Sequence, residues 1–175
     1  WDDDANILTV KYDDPGRATV TVKFYFYPDK DYFDQSISID NHSIQFIKEI
    51  NFPAKMEFAL GGLKRVFFPH FQGVALFPSY FREIGAIGAL EHESKYPSMF
   101  VTMDYVGFES DYGVAALYAM NSNEFINPSN LTLRYLSSSD AVIYEHAFAV
   151  GIKSGETWSS PRVRFAIDDS VLNTL

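Results

Sequence analysis

Along Ala18–Tyr27, ATVTVKFYFY, every second residue is apolar, and Thr, Thr, Lys, Tyr and Tyr fill the positions between. Period-two alternation of this length places Ala18, Val20, Val22, Phe24 and Phe26 on one face of an extended segment and the remaining residues on the other. Ile7–Tyr12 alternates in the same way, and Asp13-Asp14-Pro15-Gly16-Arg17 between the two runs supplies the Pro and Gly of a tight turn. The opening of the chain is therefore predicted to be a β-hairpin.

Similar short runs follow: Ile37–Ile39 with Ile44–Ile50 as a strand pair around Asp40-Asn41-His42, then Lys55–Leu60, Arg65–Phe68, Gly73–Phe77, Met99–Phe108, Val114–Met120, Leu131–Leu136, Val142–Ile152 and Arg162–Ile167. Pro53, Gly61-Gly62, Pro69 and Pro78 interrupt them where a ladder cannot continue. Pro28–Ser36 reads as a polar aromatic loop. Ser79–Glu93 fits either period; Gly85 and Gly88 weigh against a helix, so a strand paired with Met99–Phe108 is the preferred reading. About twelve short strands with turn signals between them predict one all-β domain over residues 1–175. An antiparallel β-sandwich of jelly-roll or Greek-key type is expected, with a closed β-barrel as the alternative.

Composition narrows the chemistry. With 16 Phe and 11 Tyr the chain can build a large core, and with no cysteine it has no disulfide, thiolate nucleophile or Cys-ligated metal. A net charge of −9 with scattered basic residues excludes a nucleic-acid backbone as the main partner, and no apolar run is long enough for a transmembrane helix. Trp1 in place of Met is compatible with a processed or excised chain, and loss of a secretion signal is one route to it. An extracellular or secreted location is expected, and Asn41-His42-Ser43 and Asn130-Leu131-Thr132 match the N-glycosylation pattern in predicted turns.

Of the four histidines, His42, His70, His92 and His146, none stands in a nucleophile signature. Glu91-His92-Glu93 places its two carboxylates on one side of a strand with His92 turned away. Asp29, Asp31 and Asp34 put three carboxylates into one loop, a candidate Ca²⁺ site that lacks the Gly and distal Glu of a helix–loop–helix site. Tyr25 and Tyr27 on the polar face of the opening strand, with Tyr32 and Phe33 in the adjoining loop, form a candidate ligand surface. Such rings stack on sugars, hold quaternary ammonium groups or anchor protein interfaces.

In the second half, Gly73-Val-Ala-Leu-Phe77, Gly85-Ala-Ile-Gly-Ala-Leu90, Met103-Asp-Tyr105, a loop with Tyr112 and Gly151-Ile-Lys-Ser154 follow one another in an order that resembles the short motifs of actinoporin-like cytolysins, over residues 69–167. The resemblance implies a cysteine-free β-sandwich that binds phosphocholine headgroups through aromatic residues, with Tyr105 and Tyr112 as positional candidates. The family's pore-forming N-terminal helix has no counterpart, since residues 1–40 read as strands, and its tyrosine-rich helical segment before Leu131 is also missing.

The leading expectation is a non-enzymatic domain that works through its surface, as a binding or adhesion module or as a subunit of an assembly, with a glycan, a lipid headgroup or a protein as partner. The Ile7–Tyr12 strand offers a route to homo-oligomers by strand pairing. A barrel enclosing an apolar ligand among Phe24, Phe26, Phe58 and Phe148 is a second reading. An enzyme whose His70, His92 or His146 meets a carboxylate in space is a third.

Overall fold

The structure is a computed structural model that describes residues 2, 5–53, 55–70, 73–86, 91–101, 103–121 and 127–169. Its strands are β1 (Ile7–Asp14), β2 (Ala18–Phe26), β3 (Tyr32–Asn41), β4 (Ile47–Asn51), β5 (Met56–Ala59), β6 (Leu63–Phe68) and β7 (Val74–Leu76). After one helix, α1 (Pro78–Ala86), come β8 (Glu91–Tyr96), β9 (Tyr105–Ser110), β10 (Gly113–Ala119), β11 (Ser129–Leu136), β12 (Ala141–Ile152), β13 (Thr157–Ser159) and β14 (Val163–Asp168). Among the described residues they form two antiparallel sheets and no closed barrel. The larger runs β1-β2-β3-β14-β10-β9-β6-β7 with β13 also on β3, and the smaller runs β4-β12-β11-β8 with β5 also on β12.

The alternation read from the sequence sets the sandwich. Ile37, Ile39, Val106, Phe108, Leu117 and Val163 of the large sheet and Leu131, Leu133, Val142, Tyr144 and Phe148 of the small one are buried in a common core. Phe58 of the small sheet stacks on Phe108 of the large one at 3.8 Å, and Phe148 meets Trp158 at 5.5 Å. Phe58 and Phe148 thus fill the interior, while Phe24 and Phe26 lie with Phe33 towards the open edge.

Four local expectations are corrected. The Pro28–Ser36 loop ends at Asp31, because Tyr32 pairs with β14 and Phe33 and Asp34 pair with both β2 and β14. The segments around Asp40-Asn41-His42 do not pair with each other: β3 belongs to one sheet and β4 to the other, and the Asn41 side chain ties the crossover by donating to the Gln45 and Ile152 carbonyls. The preferred strand over 79–93 is instead α1 followed by β8, with residues 87–90 outside the described residues; Phe81 is fully buried, and a Cβ at Gly85 would sit 2.5 Å from the Tyr135 ring. Gly85 is therefore what lets the helix lie close to β11. The 99–108 run does not pair with this segment, since β8 pairs β11 and β9 lies between β6 and β10. Among the described residues no helix is long and apolar enough to cross a membrane.

Candidate functional site

The face of the large sheet turned away from the core carries a transverse row. Tyr25, Asp34, Arg164, Tyr118 and Tyr105 are successive register partners on β2, β3, β14, β10 and β9. Because side chains alternate, each of these projects opposite to a core residue beside it, such as Val163, Leu117 or Val106. Adjacent strands lie about 4.8 Å apart, so the row extends roughly 20 Å across the sheet.

Asp34 organises the row. Its side chain is 1% exposed and accepts two bonds from Arg164, from Nε at 2.7 Å and Nη2 at 3.1 Å. Tyr27 donates its hydroxyl proton to Asp34 Oδ2 at 2.9 Å and accepts from Arg162 Nη1 at 3.1 Å. The guanidinium of Arg164 lies 3.7 Å from the Tyr32 ring centre and that of Arg162 4.1 Å from the Tyr25 ring centre. Arg164 also reaches the Tyr118 hydroxyl at 3.4 Å. The bonds from Asp34 raise the Arg164 pKa above its ordinary value. Partial burial, then the bond to and charge of Asp34, raise that of Tyr27 against the opposing pull of the two arginines. The result is a row of rings and guanidinium groups held in place by their mutual contacts.

The neighbouring row, Tyr32, Ala166, Ala116, Gly107 and Phe67, is small in the middle and aromatic at both ends. A Cβ at Gly107 would stand 2.5 Å from the Tyr105 hydroxyl, so glycine is what allows Tyr105 to lie along the sheet. Two concavities flank the rows. One of about 550 Å³ lies at the end of β3 and β14 and is lined from both faces, by Asp31, Tyr32, Phe33, Tyr112, Phe165 and Asp168 among others, and one of about 190 Å³ by Tyr96, Met103, Asp104, Tyr105, Tyr118 and Asn121 among others.

A second buried carboxylate lies on the core side. Asp104 meets His146 Nε2 at 2.9 Å and accepts from the Ser129 hydroxyl at 2.8 Å, while His146 Nδ1 donates to the Phe52 carbonyl at 2.6 Å. Acceptors on both ring nitrogens favour the imidazolium form. Burial alone would lower the His146 pKa, but the charge of Asp104 and the bonds to it and to Phe52 outweigh burial and raise it. Serine, aspartate and histidine converge here without a triad among the described residues: Ser129 bonds the carboxylate and not the imidazole. His70 and His92 form a third group, their rings 5.3 Å apart, with Ser94 on His70 Nδ1 and Tyr80 on His92 Nδ1.

Three of the four tyrosine-rich candidates, Tyr25, Tyr27 and Tyr32, thus share the outer face; Phe33 projects to the other side against Phe26 and Phe165. Tyr105 ends the row, and Tyr112 is 97% exposed in the β9–β10 hairpin. Asp29 and Asp31 are exposed at the turn before β3, but Asp34 is turned to Arg164, and among the described residues no group of three His or acidic residues stands close enough to hold a metal. Glu91 lies on the outer side with Arg134, as the alternation required, and His92 on the inner. Of the two glycosylation candidates, Asn41 is 1% exposed with its amide nitrogen engaged, and Asn130 lies within β11 and donates to Glu49. Neither lies in the turn the sequence suggested. Asp34, Arg164, Arg162 and Tyr118 had no motif to mark them; the only signal was the alternation of Arg162 and Arg164.

No family model matches the sequence, and no curated protein does either. Solved structures share the fold. An α-galactosidase from Lactobacillus brevis superposes with a TM-score of 0.62 at 10% identity over 98% of this chain and 24% of its own. A family GH36 α-galactosidase from Geobacillus stearothermophilus, solved in complex with stachyose, gives 0.60 at 12% identity over 95% and 24%. The Slr1438 protein of Synechocystis gives 0.54 at 10% identity over 94% and 61%. The chain spans about a quarter of the length of the two galactosidases, and at these identities the likeness is one of fold.

Proposed function

We propose that this chain is a glycan-binding β-sandwich module that holds a neutral oligosaccharide on the outer face of its large sheet. The observation that carries the reading is the row Tyr25, Asp34, Arg164, Tyr118 and Tyr105 with Arg162, Tyr27 and Tyr32 beside it. Sugars offer apolar C–H faces that suit aromatic rings and hydroxyls that suit N–H and phenol groups, and this face supplies both along some 20 Å. Occurrence of the same fold in α-galactosidases, one of them in complex with stachyose, supports a galactose-containing oligosaccharide as the first ligand to test.

The two carboxylates set among the rings of this face favour binding over cleavage. On this face Asp34 is bonded to Arg164 and Glu109 to Arg65, which leaves them poorly suited as a free acid and base pair across a glycosidic bond. Asp34 is thus a positioning residue, whereas Tyr118 and Arg162 are contact residues. Calorimetric titration with stachyose and raffinose is expected to give saturable binding that Tyr118→Ala and Arg162→Ala each weaken about tenfold, the size of one lost stacking or charged hydrogen bond. Saturation with unchanged affinity in both variants would move the site elsewhere. No heat with any neutral oligosaccharide at millimolar concentration would reject the reading.

A further inference from the structure

We propose that β1 is a self-pairing edge through which two copies of this chain join their large sheets in one fixed register. β1 is the outermost strand of that sheet, and among the described residues β2 is the one strand that pairs with it. It has eight residues, no proline and no bulge, and Val10 and Tyr12 are 50% and 65% exposed. Natural sheets guard such an edge with a proline, a bulge, a covering loop or charges, and of these β1 carries only its charges, Lys11, Asp13 and Asp14.

The backbone fixes which groups remain open. Phe26 N–H donates to the Asn6 carbonyl, so Asn6, Leu8, Val10 and Tyr12 direct their backbone groups at β2, and Ile7, Thr9, Lys11 and Asp13 direct theirs outward. Ile7 is already satisfied, since it exchanges both bonds with Asp2. Among the described residues, the unpaired stretch therefore begins after Ile7 and ends at the turn beyond Asp14.

Antiparallel pairing about a two-fold axis must match outward residues with outward residues. Registers that centre on Thr9 or Val10 need Ile7 and collide with Asp2. One centred on Lys11 sets two ammonium groups against each other, and one centred on Asp13 does the same with two carboxylates. Centring on Tyr12 places Lys11 of each copy opposite Asp13 of the other, an attractive pair made twice. Among the described residues Lys11 has no ion pair of its own, and Asp13 is steadied by the Thr19 hydroxyl. The same register buries Tyr12 against Tyr12 of the second copy. Because Tyr12 directs its backbone to β2, the two would form a non-hydrogen-bonded pair with Cα atoms about 4.5 Å apart, inside the range a disulfide spans. About five residues per strand bury less than a standard interface, so the association is weak, in the micromolar to millimolar range.

The cysteine-free background makes the test direct. Single variants Tyr12→Cys and Val10→Cys, both at exposed positions, are oxidised at equal concentration and resolved without reductant. Disulfide-linked dimer should form at least tenfold faster with Tyr12→Cys. In the Tyr12→Cys background, Lys11→Glu should slow it and Lys11→Glu with Asp13→Lys should restore it. Equal rates for the two cysteines, or a rate indifferent to charge reversal, would overturn the proposal.

Discussion

Asp34 and Asp104 are both buried carboxylates, and each is neutralised by a cation from a distant strand, yet they sit on opposite faces of the large sheet and are built from different cations. Asp34 takes Arg164, whose planar fork bonds both carboxylate oxygens and whose side chain is still 18% exposed at the outer face. Asp104 takes His146, which is 1% exposed and bonded on its far side to the Phe52 carbonyl. Guanidinium keeps its charge at any ordinary pH; imidazole does not. The outer pair is therefore a fixed scaffold for the rings and donors around it, and the inner one a pH-dependent tie between the segment leading into β9 and the small sheet.

The largest effect should come from Asp104→Ala. It leaves a buried imidazole nitrogen and the Ser129 hydroxyl without acceptors in a dry core, where breaking an ion pair costs about 3–5 kcal/mol. Chemical denaturation would read this directly. Asp34→Ala should cost less, about 1.5–3 kcal/mol, because Arg164 can swing into solvent and Tyr27 keeps Arg162. The same variant should weaken stachyose binding about tenfold where Asp104→Ala, in the fraction that stays folded, should not. Equal stability losses would mean that solvent reaches the two sites equally.

A subtler separation is in pH. The folded-state pKa of His146 lies above its unfolded value near 6.5, so the pair's stabilisation is complete below about pH 6.5 and is lost as pH rises through the folded value. Denaturation midpoints measured from pH 6 to 9 should fall in the native chain and stay nearly flat in Asp104→Asn, whereas Asp34→Asn should keep the native slope. A native slope in Asp104→Asn would assign it to another group. The smallest effect should come from His92, whose pKa burial and then His70 push down. Its stabilisation is present above about 6.5 and lost as pH falls, because the unfolded chain takes up a proton that the folded one resists. His92→Gln should remove that part of the loss between pH 7 and 5.5; an unchanged acidic limb would show that His92 does not carry it.

The hairpin β1–β2 was legible to within two residues at its ends, Asp13 and Asp14 joining β1 and Tyr27 falling just past β2, since alternation and a Pro-Gly turn are local properties. Tyr25 and Tyr27 were legible as the polar-face residues of that hairpin, and His92 as turned away from Glu91. What failed was also local in appearance. Tyr32–Asp34 looked like a loop because Asp29, Asp31 and Asp34 surround its aromatic pair and Asp disfavours strands, and only Arg164, 130 residues on, offsets the burial of an aspartate there. Ser79–Ala86 looked like a strand because of Gly85, whose role in a helix packed beneath Tyr135 appears only once β11 is in place. Asn41 read as a glycan acceptor until the crossover claimed its amide.

The sequence by itself determined that this is an antiparallel all-β chain with an aromatic core, because period-two burial and turn chemistry act between near neighbours. Tertiary structure alone decided that β14 sits beside β3, that Tyr25, Asp34, Arg164, Tyr118 and Tyr105 share one row, and that Asp104 finds His146. Those choices depend on which strands pair across the chain and in what register. Register is settled by the summed packing of both faces, which no single segment contains.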